Sequence, residues 1–216
     1  MHICKYCCTF VANYGDMSMK RLIFASNNTH KLEEVRRILA PMEVLSLREI
    51  GFESEIDETG DTLSANSLIK AQAVAQWLKE QGEEGEAYIF ADDTGLEIEA
   101  LNGAPGVFTA RWAGEPACDA NNRKKALTEL MGQSNRRARF CTVVTLIHGD
   151  HIQQVEGEVR GTITTEERGS SGFGYDAIFM PEGYDSTFGE LPAATKNSIS
   201  HRARAIAKLA EILKNE

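Results

Sequence analysis

No run of about 18 apolar residues occurs in the 216-residue chain, so the sequence predicts no membrane-spanning helix. A secretory signal is also missing, because the mildly apolar patch at residues 7–12 is too short and too polar for the hydrophobic region of a signal peptide. The five cysteines are odd in number and three of them are crowded near the start, which does not make a disulfide framework. Cys4, Cys7 and His2 resemble half of a zinc site, but no second ligand pair completes it. These absences favour a cytosolic protein.

Long basic segments are absent as well. Acidic residues number 32 and basic residues 23, which gives a formal net charge of −9. Arg136, Arg137 and Arg139 form the densest basic cluster, and an acidic chain of this kind disfavours a nucleic-acid partner. With 42% hydrophobic and 25% charged residues the composition is that of a globular protein. We expect one domain over residues 19–216, with Met17 or Met19 as the true start and residues 1–18 as a dispensable leader.

Strand-like and helix-like segments alternate along the chain, which predicts an α/β fold with a mixed sheet. Short apolar or alternating segments predict strands at residues 21–26, 43–47, 88–91, 96–101, 139–148, 151–164 and 176–180. Helical spacing and capping residues predict helices at 31–39 (capped by Thr29), from Asp61 or Thr62 to 81, at 119–131 and at 198–214.

Polar residues follow the first predicted strand in the sequence SNNTHK, residues 26–31. A helix begins there, and the unpaired N–H groups at a helix start together with the ammonium of Lys31 suit a phosphate group. The glycines of a Walker A loop are absent. A capped turn without any ligand explains Asn28 and Thr29 equally well.

Acidic residues are concentrated in two short segments, Asp57-Glu58-Thr59-Gly60 and Asp92-Asp93-Thr94-Gly95. The second segment directly follows a predicted buried strand, which would deliver two repelling carboxylates to the edge of the sheet. Mg²⁺ prefers oxygen ligands of this kind and would relieve the repulsion. One carboxylate could hold the metal while another accepts a proton from an attacking water. A solvated acidic turn is the alternative.

A third polar region combines the glycine-rich segment GFGYD, residues 172–176, with basic residues near the last helix. Glycines on both sides of Phe173 let a flat ligand come close enough to stack on the ring. His201 and Arg202 could reach acceptors on the edge of a base. Lys70 lies one turn after Asn66, so the two side chains share a helix face that looks either into this site or into water.

Six segments, in this order along the chain, resemble the inosine triphosphate pyrophosphatase family, whose members hydrolyse non-standard purine nucleoside triphosphates. The segments are SNNTHKLEE (26–34), DETG (57–60), FADDTGL (90–96), GAPGVFTAR (103–111), GFGYD (172–176) and SISHR (198–202). With the last helix, the resemblance extends from about residue 19 to the end of the chain. This chain has Asn27-Asn28 where other members have Gly-Asn, which affects the detailed geometry of the first loop.

The resemblance implies a cytosolic homodimer with an elongated mixed sheet and a nucleotide cleft between two lobes. It implies Mg²⁺-dependent hydrolysis of dITP, ITP and XTP to the monophosphate and pyrophosphate. Asp93 would be the general base and a metal ligand, Asp57 or Glu58 the second metal ligand, and Asp92 a supporting carboxylate. The substrate would be bound by Ser26, Asn27, Asn28, Thr29, His30, Lys31, Lys70, Thr94, Phe173, Gly174, Tyr175, Asp176, Lys196, His201 and Arg202.

Three other functions fit parts of the pattern. A related pyrophosphatase acting on other bases, such as modified pyrimidines, would have the same phosphate and metal residues. A nucleotide-binding sensor that no longer hydrolyses would gain nothing from the acidic residues around Asp93. A nucleic-acid module would depend on the arginines at residues 136–139.

Overall fold

The computed structural model describes residues 20–85 and 87–215, so the leader expected at residues 1–18 and the incomplete zinc motif lie outside the described residues. Within them, strands β1 to β7 span Leu22–Phe24, Val44–Ser46, Tyr88–Ile98, Pro105–Gly106, Arg137–His148, His151–Ile163 and Phe179–Pro181. Helices α1 to α5 span Thr29–Leu39, Leu63–Glu80, Asp119–Glu129, Ala193–Ile199 and His201–Asn215. Short 3₁₀ helices follow β3 and β4, at Glu99–Leu101 and Thr109–Arg111. Among these helices none is long and apolar enough to cross a membrane.

The strands form one mixed sheet in the order β2-β1-β3-β5-β6-β7, and β4 pairs with β3. β1 runs parallel to both of its neighbours, while β3 to β7 pair in antiparallel fashion. The α/β class and the mixed sheet predicted from the sequence are therefore confirmed. The hairpin of β5 and β6, which turns at Gly149-Asp150 as predicted, provides the longest pairing.

Apolar residues on alternate positions of β3 build the core on both faces of the sheet. On one face, Phe90 packs beneath α1 and α5. On the opposite face, Ile89 and Ala91 pack against α2. Further along the first face, Leu96 and Ile98 belong to a separate apolar cluster that includes residues of α3. The two clusters on the first face leave a polar interval between them, and the candidate site lies there.

The interval coincides with a gap at the edge of β3. β1 ends opposite Phe90, whereas β4 pairs with β3 only from Leu96 onward. In the described residues, no strand pairs with residues 91–95 on this side. Asp92 and Asp93 lie in the gap and point to opposite faces of the sheet. A cavity opens at the carboxyl end of β1, the position at which open α/β sheets bind ligands.

Several boundaries predicted from the sequence are wrong. The strands expected at residues 88–91 and 96–101 are one strand that ends at Ile98, because β5 pairs with it from Ile89 onward, and residues 99–101 form a 3₁₀ helix instead. The single helix expected at residues 198–214 is divided at Ser200 into α4 and α5. The strand expected at residues 176–180 begins only at Phe179, because residues 176–178 form a turn.

Candidate active site

A cavity of about 640 Å³ at the end of β1 brings together most of the residues predicted to form a site. Thr29 and His30 are the exceptions: both lie on the exposed first turn of α1 and do not line the cavity. The predicted residues that line it are Ser26, Asn27, Asn28, Lys31, Asp57, Glu58, Lys70, Asp93, Thr94, Phe173, Gly174, Tyr175, Asp176, Lys196, His201 and Arg202.

The loop between β1 and α1 is shaped by its own polar side chains. Asn28 is the N-cap of α1, because its Oδ1 accepts a hydrogen bond from the backbone N of Lys31 at 3.0 Å. Ser26 Oγ accepts from the backbone N of Asn28 at 3.1 Å. The expectation that Thr29 caps the helix is wrong; the cap lies one residue earlier. The N-terminus of α1 thus opens next to the cavity with Ser26 and Asn28 already oriented.

Asp93 lies on the α2 face of the sheet and is held by that helix. Its Oδ1 accepts from Lys70 Nζ at 2.8 Å, and its Oδ2 lies 3.4 Å from Asn66 Nδ2. Lys70 Nζ also lies 3.1 Å from Glu58 Oε1. The face of α2 that carries Asn66 and Lys70 therefore looks into the site and not into water. Asn66 Oδ1 additionally accepts from Gly60 N at 2.8 Å, which fixes the acidic loop against α2.

The electrostatic setting of Asp93 favours proton uptake. Burial raises the pKa of this carboxyl above its ordinary value, and the ammonium of Lys70 only partly opposes that effect. The pKa of Lys70 itself is raised: burial lowers it, but Asp93, Asp92 and Glu58 outweigh the burial. A carboxylate with a raised pKa beside a charged lysine is a better proton acceptor than a carboxylate in water.

Asp92 points to the other face and has a different environment. Its side chain is 1% exposed and lies 2.8 Å from Lys31 Nζ and 2.9 Å from Arg202 Nε. Burial alone would raise the pKa of Asp92, but Lys31 and Arg202 outweigh it and the pKa lies below its ordinary value. Asp92 is therefore an ionised carboxylate that holds two cations in place.

The ion pairs continue from Asp92 into a chain of alternating charges. Arg202 also pairs with Glu34, and Glu34 Oε1 lies 2.8 Å from Lys196 Nζ. Lys196 Nζ then lies 2.7 Å from Asp176 Oδ2. Glu34 was missed by the sequence reasoning, although its place one turn after Lys31 on α1 is a signal that could have found it. These ion pairs hold the cationic groups of Lys31, Arg202 and Lys196 in fixed positions relative to one another.

The segment 172–176 forms a wall of the cavity. Phe173 N donates to Asp176 Oδ2 at 2.8 Å. Gly172 has φ +81°, and a Cβ there would lie 2.1 Å from the same carboxylate oxygen, so this turn requires glycine. Tyr175 is 2% exposed and its hydroxyl donates to the carbonyl oxygen of Thr109 at 3.0 Å. Tyr175 thus anchors the wall, while the ring of Phe173 is half-buried.

His201, the first residue of α5, lies beneath the cavity. Its Nδ1 lies 2.6 Å from Thr142 Oγ1, and its ring stacks on Phe140 with centroids 4.7 Å apart. Burial, reinforced by Arg202 and Lys196, holds the pKa of His201 well below its ordinary value. The imidazole is therefore neutral at physiological pH and carries one N–H donor.

Four charged residues that line the cavity were not predicted as site residues: Glu53, Glu55, Arg111 and Asp119. Arg111, in the 3₁₀ helix after β4, lines the cavity with its guanidinium 5.5 Å from the ring centroid of Phe108. Asp119, the first residue of α3, accepts a hydrogen bond from Gly174 N at 2.7 Å. Arg111 belongs to the segment GAPGVFTAR, so a cation inside a recognised segment was the available signal.

The predicted metal ligands Asp57, Glu58 and Asp93 all line the cavity. Within the described residues, however, no group of three His, Cys, Asp or Glu side chains lies close enough to hold a metal by itself. Oxygen donors from one or two carboxylates do fit Mg²⁺, which commonly takes its remaining ligands from water and substrate phosphates. The donor set is therefore compatible with Mg²⁺ that arrives with a phosphorylated ligand.

The arginine cluster offered by the alternative nucleic-acid reading is engaged within the protein. Arg136 donates to three backbone carbonyls, at 2.6 to 2.9 Å. Arg137 pairs with a glutamate of the neighbouring 3₁₀ helix, and Arg139 pairs with Glu97 and Glu158. Acidic neighbours therefore match the charge of this cluster.

The fold and the cavity define an α/β protein with a charged cleft at the end of its parallel strands. Residues 22–212 match the model of the Ham1 family, and the chain belongs to that family. It is 51% identical over 201 residues to a protein of Porphyromonas gingivalis named dITP/XTP pyrophosphatase, with 90% of this chain and 98% of that protein covered. A Bacillus subtilis protein of the same name is 45% identical over 200 residues, with 90% and 98% covered.

The solved structures agree with the sequence relatives. The structure of the Staphylococcus aureus Ham1 protein matches with a TM-score of 0.80 at 36% identity, covering 91% of this chain and 99% of that chain. The resemblance to the pyrophosphatase family stated from the sequence is confirmed.

Proposed function

We propose that this chain is a nucleoside triphosphate pyrophosphatase that removes dITP, ITP and XTP from the nucleotide pool, releasing the monophosphate and pyrophosphate. The observation that carries the proposal is Asp93, a buried carboxylate with a raised pKa that lies beside Lys70 in a cavity lined by both acidic and basic side chains. Relatives named dITP/XTP pyrophosphatase, at 51% and 45% identity over nearly their whole length, support the substrate class.

The phosphate end of the substrate fits the loop between β1 and α1. The start of α1 presents backbone N–H groups, and Lys31 and Lys70 add two positive charges from opposite faces of the sheet. Because Thr29 and His30 lie outside the cavity, the proposed phosphate-binding set is Ser26, Asn27, Asn28, Lys31 and Lys70. Lys196 was predicted with them, but its Nζ lies 4.8 Å from the ring centroid of Phe173, at the proposed base end.

In the proposed reaction a water attacks the α-phosphorus and Asp93 accepts its proton. The bond from the α-phosphorus to the bridging oxygen breaks, and pyrophosphate leaves with the bonding electrons. Lysine ammonium groups at the cavity stabilise the charge on that leaving group. Mg²⁺, held by Asp93 together with Asp57 or Glu58, would neutralise charge on the phosphate oxygens.

The base end of the substrate fits the opposite part of the cavity. Phe173 offers an aromatic face for stacking, and Arg202 and the neutral His201 offer N–H donors. Hypoxanthine and xanthine carry a 6-oxo acceptor that such donors satisfy. The 6-amino group of adenine would leave them unpaired, which costs about 1–3 kcal/mol.

We also propose that the protein is a cytosolic homodimer, as the family resemblance implies. Light scattering coupled to size-exclusion chromatography measures the mass directly. A mass near that of one chain would contradict the dimer.

The test of the reaction is a substrate panel of dITP, XTP, dATP, dGTP and dTTP, with Mg²⁺ and with excess chelator. Pyrophosphate and orthophosphate are assayed separately for each nucleotide. Pyrophosphate from dITP and XTP, lost with the chelator, is the expected result. Orthophosphate would mean attack at the terminal phosphate and would overturn the mechanism. Nucleotide binding without any product would favour a sensor that no longer hydrolyses.

A further inference from the structure

His30 was expected to contact the triphosphate, but its ring lies against Phe173. The two ring centroids are 5.2 Å apart and the planes are inclined by 13°, which is an offset stack. His30 is exposed and does not line the nucleotide cavity. Its contact with the substrate-binding wall is therefore made through the phenylalanine ring.

A smaller cavity lies next to the nucleotide cavity and shares Phe173 and Lys196 with it. The smaller cavity, of about 200 Å³, is lined by Phe173, His30 and Glu33 among others. Phe173 lines both cavities, whereas His30 lines only the smaller one. The imidazole therefore supports the aromatic ring from the side away from the proposed base.

The backbone around Phe173 explains why such support matters. Gly172 and Gly174, on either side, have φ of +81° and +61°, and Asp176 fixes the backbone of this turn. The half-buried ring itself is oriented by its non-covalent neighbours, which are His30, Lys196 and Arg202. Holding a ring in its bound orientation before the ligand arrives reduces the entropy lost on binding. His30 also lies directly between the N-cap Asn28 and Lys31, in the first turn of α1. The support for the ring is thus part of the same helix turn that borders the phosphate site.

We propose that His30 is a positioning residue that holds Phe173 in the orientation in which its other face stacks on the purine base. The proposal rests on the proposed function, since it assumes that a base occupies that face. An aromatic side chain at position 30 satisfies this role, whereas a charge at that position is not required.

The test compares His30→Ala, His30→Phe and the wild-type protein in calorimetric binding without turnover. The two probes are a non-hydrolysable dITP analogue and inorganic triphosphate, which has no base. His30→Ala is expected to weaken binding of the analogue about two- to tenfold, the range for a lost aromatic pair, with triphosphate affinity unchanged. His30→Phe should restore analogue binding. His151→Ala, an exposed histidine of β6 outside both cavities, is the control and should bind both probes like the wild type.

Equal losses for both probes would overturn the proposal, because His30 would then act on the phosphates. Undiminished analogue binding by His30→Ala would overturn it as well, and so would failure of His30→Phe to restore binding. If the wild-type protein bound the analogue no better than triphosphate, no base would stack on Phe173 and the proposal would be wrong. A wild-type protein that binds the analogue but does not hydrolyse dITP would refute the proposed reaction, while the His30 comparison would still give its answer.

Discussion

Asp92 and Asp93 are neighbours in sequence with opposite surroundings, so the same substitution at each position should have different effects. Asparagine has nearly the same shape as aspartate but lacks the charge. Asp92→Asn removes the carboxylate that lies between Lys31 and Arg202. Asp93→Asn removes a carboxylate whose ionised form is already disfavoured by burial, and it leaves Lys70 paired with Glu58.

The magnitudes follow from these contacts. Removing one partner of a buried ion pair costs about 3–5 kcal/mol. For Asp92 we expect the lower end, about 3 kcal/mol, because Arg202 keeps Glu34 and Lys31 is partly exposed. At about 2–4 °C per kcal/mol for a chain of this size, the melting temperature should fall by about 6–12 °C. For Asp93→Asn we expect a loss of about 1 kcal/mol or less, or a fall of at most about 4 °C.

Activity should show the reverse order. Asp93→Asn should lower kcat by about 10²–10⁴, the usual contribution of a general base. Asp92→Asn keeps that base, so its loss of kcat should be smaller than that of Asp93→Asn by a factor of about ten or more. Its KM should rise, because Lys31 and Arg202 lose the carboxylate that holds them in place. Thermal melts followed by circular dichroism and pyrophosphate release from dITP measure the two effects. If Asp92→Asn lost more kcat, or if Asp93→Asn were the variant with the large fall in melting temperature, the assignment of roles would be refuted.

Three other predictions concern helix packing, acid stability and thiol reactivity. A Cβ at position 157 would lie 2.2 Å from the carbonyl oxygen of His201, so Gly157→Ala should cost about 1–3 kcal/mol and lower the melting temperature by about 2–12 °C; an unchanged value would contradict this packing of α5 on β6. Burial lowers the pKa of His201, so below about pH 6.5 the unfolded chain binds a proton at this histidine that the folded chain does not. The free energy of unfolding should therefore fall by up to about 1.4 kcal/mol per pH unit on acidification below that pH. In His201→Gln the fall should be less steep. Denaturant titrations between pH 7 and pH 5 measure that slope, and equal slopes for the two proteins would refute it. Burial raises the pKa of Cys141 to about 12, so iodoacetamide at about pH 8 should alkylate the exposed Cys118 and spare Cys141 until denaturant is added, as peptide mass spectrometry can determine.

Elements with a local signal could be predicted from the sequence. Thr62, one of two expected caps of α2, does cap that helix, since its side chain accepts a hydrogen bond from Ala65 N. The hairpin of β5 and β6 turns at Gly149, where φ is +55° and glycine is favoured. Capping and turn chemistry depend on residues a few positions apart, so a single sequence contains the information.

The elements that depend on distant pairing could not be predicted. Asp92, Asp93 and Gly95 are common turn residues, and their sequence favours the end of a strand. Pairing of β3 with β5 from Ile89 to Ile98 instead keeps this segment extended. The break between α4 and α5 has a similar origin, because Ser200 leaves the helical region and its Oγ accepts from Ala203 N at 3.1 Å.

The same limit applies to the candidate site. Glutamate in the first turns of a helix is favourable for the dipole alone, so the place of Glu34 one turn after Lys31 was an ambiguous signal. Its partner Arg202 lies 168 residues further along the chain. His30 was placed among phosphate ligands because it stands between Asn28 and Lys31, but helical geometry turns it away from the cavity. A residue in a family-like sequence segment can thus be predicted to lie near the site. Whether its side chain points into the site depends on the backbone conformation.

The strand arrangement explains how two neighbouring aspartates, Asp92 and Asp93, can both reach one cavity. Consecutive residues of a strand point to opposite faces, so a strand with both edges paired would send Asp92 and Asp93 into separate environments on either side of the sheet. Here the end of β1 leaves the edge of β3 open, and both residues reach one cavity around that edge. One carboxylate can then remain ionised between Lys31 and Arg202 while its neighbour keeps a raised pKa beside Lys70. Extending β1 by pairing across residues 91–95 would close the cavity and separate the two roles, which is why the short β1 is as necessary to the proposed chemistry as the acidic residues themselves.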